Sequence, residues 1–177
     1  VDSLPLHPAI VHLPLGLALL MPILAAGVAW AIRTDRLHSK AWIAIVVLQA
    51  LLLGSAIAAM QTGEGEEDRV ETVVQGRLIH QHEELAEQFV WGVGVTLALA
   101  VLVLMVRRSA AGWILPPVVV AATIVVLGLG LRVGRAGGEL VYVHGAASAY
   151  TSTPSADATS SPAPPSNPGN SHRDRIR

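Results

Sequence analysis

The sequence predicts an all-α fold: a bundle of four transmembrane helices with an acidic extramembrane loop and a disordered C-terminal tail. Three observations carry this. Of 177 residues, 52% are hydrophobic and only 14% charged, with a mean hydropathy of +0.53, which is too apolar for a soluble domain of this size. The apolar residues gather into four stretches with at most one charged residue each, each about as long as the ~20 residues that cross a ~30 Å hydrocarbon core. The charged residues fall in short blocks between those stretches, as membrane topology requires.

Composition also excludes function classes. The formal net charge is -1 and no basic face is present, so nucleic-acid binding has no support. There are no cysteines, which removes disulfides, iron–sulfur clusters, thiolate metal sites and covalent CxxCH haem attachment. Imidazole, carboxylate or thioether must hold any metal or haem.

The first span covers residues 9–32 and can cross with a tilt. It has no positively charged leader or small-residue cleavage site, so it is expected to stay as a span rather than be removed. Pro8 suits a first helical position, whereas Pro14 and Pro22 fall inside and predict kinks. Arg33, Asp35, Arg36, His38 and Lys40 make a short polar turn. The second span is residues 41–60, with Gly54, Ser55 and Ala58 allowing close helix contact, and Thr62-Gly63 ends it.

Residues 63–87 form a polar, acidic loop carrying Glu64, Glu66, Glu67, Asp68 and Glu71, with Val73-Val74 and Leu78-Ile79 marking an amphipathic turn. The third span, residues 85–106, closes on Arg107-Arg108. The fourth is residues 113–131, with Pro116 and Pro117 in its first turn. Leu140 to Gly145 read as a short apolar return segment that folds His144 back as a lid. Residues 1–147 thus make one transmembrane domain and 148–177 a Ser/Pro-rich tail that buries too little to order itself.

Four spans place both termini on one side. The short turns concentrate Arg and Lys, which the positive-inside rule assigns to the cytoplasm, leaving both termini and the acidic loop periplasmic. Trp30, Trp42, Trp91 and Trp113 lie near span ends as an aromatic belt. His7, His12, His80, His82 and His144 then share a membrane face and form the candidate cofactor-binding set. His7 and His12 stand about 140° apart on a helix and cannot chelate one metal from one face, so partners must come from other helices. His80 and His82 stand about 200° apart, so one enters the bundle while the other faces the loop. Glu84 and Glu87 extend a polar stripe from His80. The bland reading of His12 is an interfacial histidine bonded to a backbone carbonyl, that of the His80 stripe a solvated interfacial face and that of His144 an unliganded loop histidine, but an ionisable group inside a span marks function. His12 with His82 is the leading metal-ligand pair. Neither His38 nor His172 receives a role.

The run Leu6-His7-Pro8-Ala9-Ile10-Val11-His12-Leu13-Pro14, the Thr62-Gly63 ending, His82-Glu83 and Gly137-Gly138-Glu139-Leu140-Val141-Tyr142-Val143-His144-Gly145 together resemble a bacterial family of predicted four-helix membrane proteins of unknown function. The resemblance covers residues 6–145. It implies an inner-membrane location, histidines on the periplasmic side and a redox or haem-protein context, with no established reaction.

The expected function is electron transfer by a b-type haem or transition metal. Haem in a bundle needs imidazoles from different helices, small residues beside the ring and cations near its propionates. His12 with His82 or His80, His7 with His144, Gly16, Gly92 and Arg132 or Arg135 are the candidates. The alternative is a non-catalytic accessory subunit of a larger respiratory or photosynthetic complex. Its small-residue faces would meet partner helices and its tail would order on binding. A third reading is a metal carrier or sensor using His and Glu without haem. Beyond the lipid bilayer, partners are a redox protein or that larger complex. No nucleophile, base and oxyanion-donor set is present to argue for an enzyme.

Overall fold

A computed structural model describes residues 6–106 and 111–150. Its helices are α1 (His7–Ile10), α2 (His12–Arg33), α3 (Trp42–Glu64), α4 (Glu67–Val70), α5 (Gly76–Val106) and α6 (Ala111–Tyr142), with 3-10 turns at Ser39–Ala41 and Ala146–Tyr150. Helices α1 and α2 form one membrane-spanning rod, so the spans number four: His7–Arg33, Ser39–Glu64, Gly76–Val106 and Gly112–Tyr142. The rod is interrupted at Val11 because Pro14 has no N–H to offer the Ile10 carbonyl. Pro22 sits inside α2 without ending it.

The four long helices pack in a ring. Helix α2 lies against α3 and α6, and α5 lies against the same two, which makes the first and third spans diagonal partners. The seam repeats at alternating steps of three and four: Pro14, Ala18, Met21 and Ala25 on α2, Phe89, Val93, Thr96, Ala100 and Val103 on α5, and Val119, Thr123, Val126 and Gly130 on α6. That spacing is the one that interdigitates helices crossing at small angles. The outer faces remain apolar, as at Leu19, Ile23, Val47, Val95, Ile124 and Val125. A helix apolar all round is one that meets lipid on its far side.

Buried polar side chains are tied to backbone. Thr96 Oγ1 donates to the Gly92 carbonyl and Thr123 Oγ1 to Val120. Gln49 Nε2 reaches across to the Val93 carbonyl at 3.3 Å.

Several expectations shift. Helix α5 begins at Gly76, nine residues ahead of the predicted third span, and α6 runs on to Tyr142 rather than stopping at Leu131. Most of the predicted return segment is therefore helix. At 1.5 Å per residue, 31 residues extend about 46 Å, more than the hydrocarbon thickness, so both helices carry their polar ends past the apolar layer. Trp42 leaves the aromatic belt: it is 2% exposed in the core, while Trp30, Trp91 and Trp113 face outward. The belt at the basic end is reinforced by Arg36 over the Trp30 ring at 4.5 Å and Arg33 over Trp113 at 5.2 Å.

The acidic loop caps the opposite end. Val74, Ile79 and Ala146 form a second small core with Val70, Leu78 and Leu140 against it. Residues 148–150, expected in the tail, instead belong to the Ala146–Tyr150 turn, which is anchored here. The rest of that tail and Arg107-Arg108 lie outside the described residues.

Candidate functional site: a histidine pair on the bundle axis

His7 stands at the start of the first span, followed by Pro8, whose missing N–H costs nothing there. Its Nδ1 lies 2.8 Å from the Ala59 carbonyl of α3. Because a carbonyl only accepts, Nδ1 carries the proton and Nε2 keeps the lone pair. Thr62 Oγ1 is 3.4 Å from the same nitrogen. The ring lies flush on Gly63, where an added Cβ would come within 3.1 Å of His7 Cε1.

Glu66 fixes this end of the rod. Its Oε1 accepts the backbone N–H of Leu6 at 2.9 Å and of His7 at 3.3 Å, two of the donors that a helix start leaves without partners. A carboxylate is also favoured by the positive end of the helix dipole. Its Oε2 accepts the Tyr150 hydroxyl at 2.7 Å. One side chain thus joins the start of the first span, the loop and the end of the described chain. Burial, together with the Glu66 hydrogen bond and charge, pushes the Tyr150 phenol up to about 12.

His82 enters from the diagonal helix, α5. Gly137 of α6 makes room for it, since a Cβ there would stand 3.2 Å from His82 Cε1. Its Nδ1 is buried with no hydrogen-bond partner. The His7 and His82 rings meet edge to face, with centroids 6.3 Å apart and planes at 88°. Coming from the first and third spans, the pair sits on the bundle axis.

The other candidates are placed differently. His12 is exposed at the head of α2, and the imidazole brought to His82 is that of His7, not His12. The 140° between the two histidines decides this: once His7 faces the axis, His12 is turned away. His80 points outward, as the 200° separation requires, and its Nδ1 is 3.0 Å from Glu83 Oε2. Glu67 of α4 joins them, with ligand atoms of the three within 4.8 Å of one another. The Glu83 charge beside it holds the Glu67 carboxyl above the usual carboxylate range. His144 is exposed and lines two shallow clefts, both with Leu78 and one with Gln81, rather than covering the pair. Arg135 is engaged by Glu139 at 2.9 Å.

Sequence reasoning missed Glu66, Tyr150 and the roles of Gly63 and Gly137. Both glycines are legible as motif residues, Gly63 as a helix end and Gly137 in the stretch before the expected return segment. Their physical signal is a glycine opposite a ring. Glu66 was hidden among like residues in an acidic stretch.

No curated protein and no solved structure matches the chain. A family model described as "Predicted membrane protein (DUF2231)" matches residues 3–149, a range that takes in the histidine pair, both ring-packed glycines and Glu66. The chain is therefore a member of this family of predicted membrane proteins.

Proposed function

We propose that the protein is an inner-membrane electron carrier in which His7 and His82 hold a redox-active metal, bare or within a b-type haem, at the periplasmic end of the bundle. The observation that carries this reading is the buried, unpartnered Nδ1 of His82 beside His7. An orphaned buried acceptor costs stability unless something occupies it. The His7 ring is steadied through Nδ1 by the Ala59 carbonyl, the arrangement that fixes tautomer and orientation in histidine metal ligands. The bound group would supply the one-electron step. The chain's own residues do the rest: Ala59 orients the His7 imidazole, Glu66 holds the His7 backbone, and Gly63 and Gly137 let helix backbone close around the rings. Arg33, Arg36 and Lys40 at the far end favour a cytoplasmic side there.

Metal analysis of the purified protein with a reduced-minus-oxidised visible spectrum tests this. We expect bound metal with a reversible absorbance change, lost in His7→Ala and in His82→Ala. A preparation without metal, haem or absorbance change overturns it.

Outward glycines favour a second reading, a non-catalytic subunit of a larger membrane complex. An added Cβ would meet nothing within 4 Å at Gly16, Gly54, Gly94 or Gly128, and such faces suit close contact with another helix. On that reading the protein co-purifies with a large complex in mild detergent, and a lone monomer on native gels counts against it.

A further inference from the structure

We infer that Glu67, His80 and Glu83 form a site for one divalent first-row transition-metal ion, Zn2+ foremost, which clips the acidic loop to α5 on the outside of the bundle. This is a second site and does not rest on the metal reading of the His7–His82 pair. Its donors come from two elements: Glu67 lies on α4 in the loop, and His80 and Glu83 stand one turn apart on α5. The three ligand atoms lie within 4.8 Å of one another, and His80 Nδ1 is 3.0 Å from Glu83 Oε2. Two donors that far apart, each about 2.1 Å from one ion, subtend about 90° at it. Glu67, half-buried at the surface, completes the set by rotation of its own side chain. His80 is exposed on the part of α5 that stands beyond the lipid, so water fills the remaining positions, as in open zinc sites with three protein ligands.

The donor set selects the ion. Carboxylates alone suit magnesium, calcium or manganese, whereas an imidazole among them suits zinc, copper, iron or nickel. Of these, Zn2+ stands high in the affinity order and imposes no geometry of its own. Charge agrees, because two carboxylates balance one divalent ion. Among the described residues no lysine or arginine pairs with Glu67 or Glu83; the ion pairs there are His80–Glu83 and Arg135–Glu139. Glu83, Glu71 and Asp68 all repel the Glu67 charge, and His80 alone opposes them. Since a carboxylate only accepts, the proton between His80 and Glu83 sits on Nδ1. A metal ion takes the place of that proton.

The position of the site in the chain says what the ion does. Glu67 follows Glu66, which holds the Leu6 and His7 N–H groups, and His80 lies two residues before His82 on the same helix. One ion bound by Glu67 and His80 therefore ties the segment that anchors His7 to the helix that carries His82. It also closes the loop between α4 and α5, which removes much of that loop's freedom. The long helices pack through their own apolar seam, so the ion steadies the cap and not the bundle.

The test is a Zn2+ titration of the full chain in detergent, first stripped with a chelator, against a coloured zinc indicator with Mg2+ and Ca2+ in excess. One equivalent should depend on His80, and neither Mg2+ nor Ca2+ should displace it. His80→Ala and Glu67→Gln should each weaken that equivalent roughly tenfold or more. Asp68→Asn removes the same charge one residue along and should weaken it less than about threefold, the scale of a surface charge. None of these side chains is in the apolar core, so unchanged helical circular dichroism separates lost ligation from misfolding. Trypsin gives a second readout: Zn2+ should slow cleavage at Arg69, between Glu67 and His80, roughly fivefold in the wild-type chain and not in His80→Ala. Failure to bind Zn2+, uptake indifferent to His80, equal losses in Asp68→Asn and Glu67→Gln, or displacement by Mg2+ or Ca2+ each overturns the inference. Zn2+ has no redox chemistry, so the absorbance change expected of the His7–His82 pair is a separate result. Its absence leaves the zinc clip standing, and a chain that shows it without taking up Zn2+ does the reverse.

Discussion

Replacing Glu66 by alanine is expected to loosen the histidine end of the bundle and to destabilise the protein by roughly 2 kcal/mol, the combined scale of a lost helix cap and of hydrogen bonds to a charged acceptor. Three donors lose one acceptor: the N–H groups of Leu6 and His7 and the hydroxyl of Tyr150. The backbone donors sit at the rim and recover water, which keeps the cost below that of a fully buried network. Unfolding in mixed micelles measures it, and a change under 0.5 kcal/mol would mean that the carboxylate is decorative. Tyr150 gives an independent readout. Its phenol titrates at about 12 against an ordinary value near 10. Because the neutral form is the one favoured in the fold, the contribution to stability is complete below pH 10 and is lost as pH rises from 10 to about 12. In Glu66→Ala the phenolate absorbance should therefore appear at lower pH. It should stay above the ordinary value, since burial, the larger cause, remains. A titration unmoved by the substitution would sink the Glu66–Tyr150 link.

What the sequence made legible, and what it concealed, follows from where hydropathy stops being informative. The four spans are written in apolar runs that only a bilayer explains, and they match the described helices closely on the Arg33 side. On the histidine side the helices outrun the lipid. Residues 76–84 and 132–142 are polar or glycine-bearing, so a hydropathy reading ends them early. The backbone continues regardless, with local pairs such as Arg135–Glu139 along the way. The pairing of histidines was half readable. Helical rotation required that His80 and His82 diverge and that His7 and His12 not cooperate, but it could not say which of each pair turns inward. Depth in the span favoured His12. The decision comes instead from contacts between distant segments, the Ala59 carbonyl and Glu66 drawing in His7, and Gly137 receiving His82.

Trp42 is the residue whose loss should cost most. By position it looks like an interfacial anchor, and an anchor facing lipid can be exchanged at little expense. In the structure it is 2% exposed, and its Nε1 donates to the Ala100 carbonyl of α5 at 3.0 Å, placing the indole in the α3–α5 seam. Lipid is as apolar as the core, so burial itself gains little in a membrane. What Trp42→Ala forfeits is packing: the helices cannot close a hole of indole size, and cavity formation in a close-packed interior sets a cost of roughly 3 to 5 kcal/mol. Trp42→Phe keeps most of the volume and gives up the N–H, so roughly 1 kcal/mol is expected. Trp91→Ala, at a side chain 69% exposed, should change helix packing by less than about 0.5 kcal/mol. The order Trp42→Ala, Trp42→Phe, Trp91→Ala is the discriminating result in detergent unfolding. Equal effects at Trp42 and Trp91 would mean that both are interfacial anchors and that the α3–α5 seam is not built around the indole.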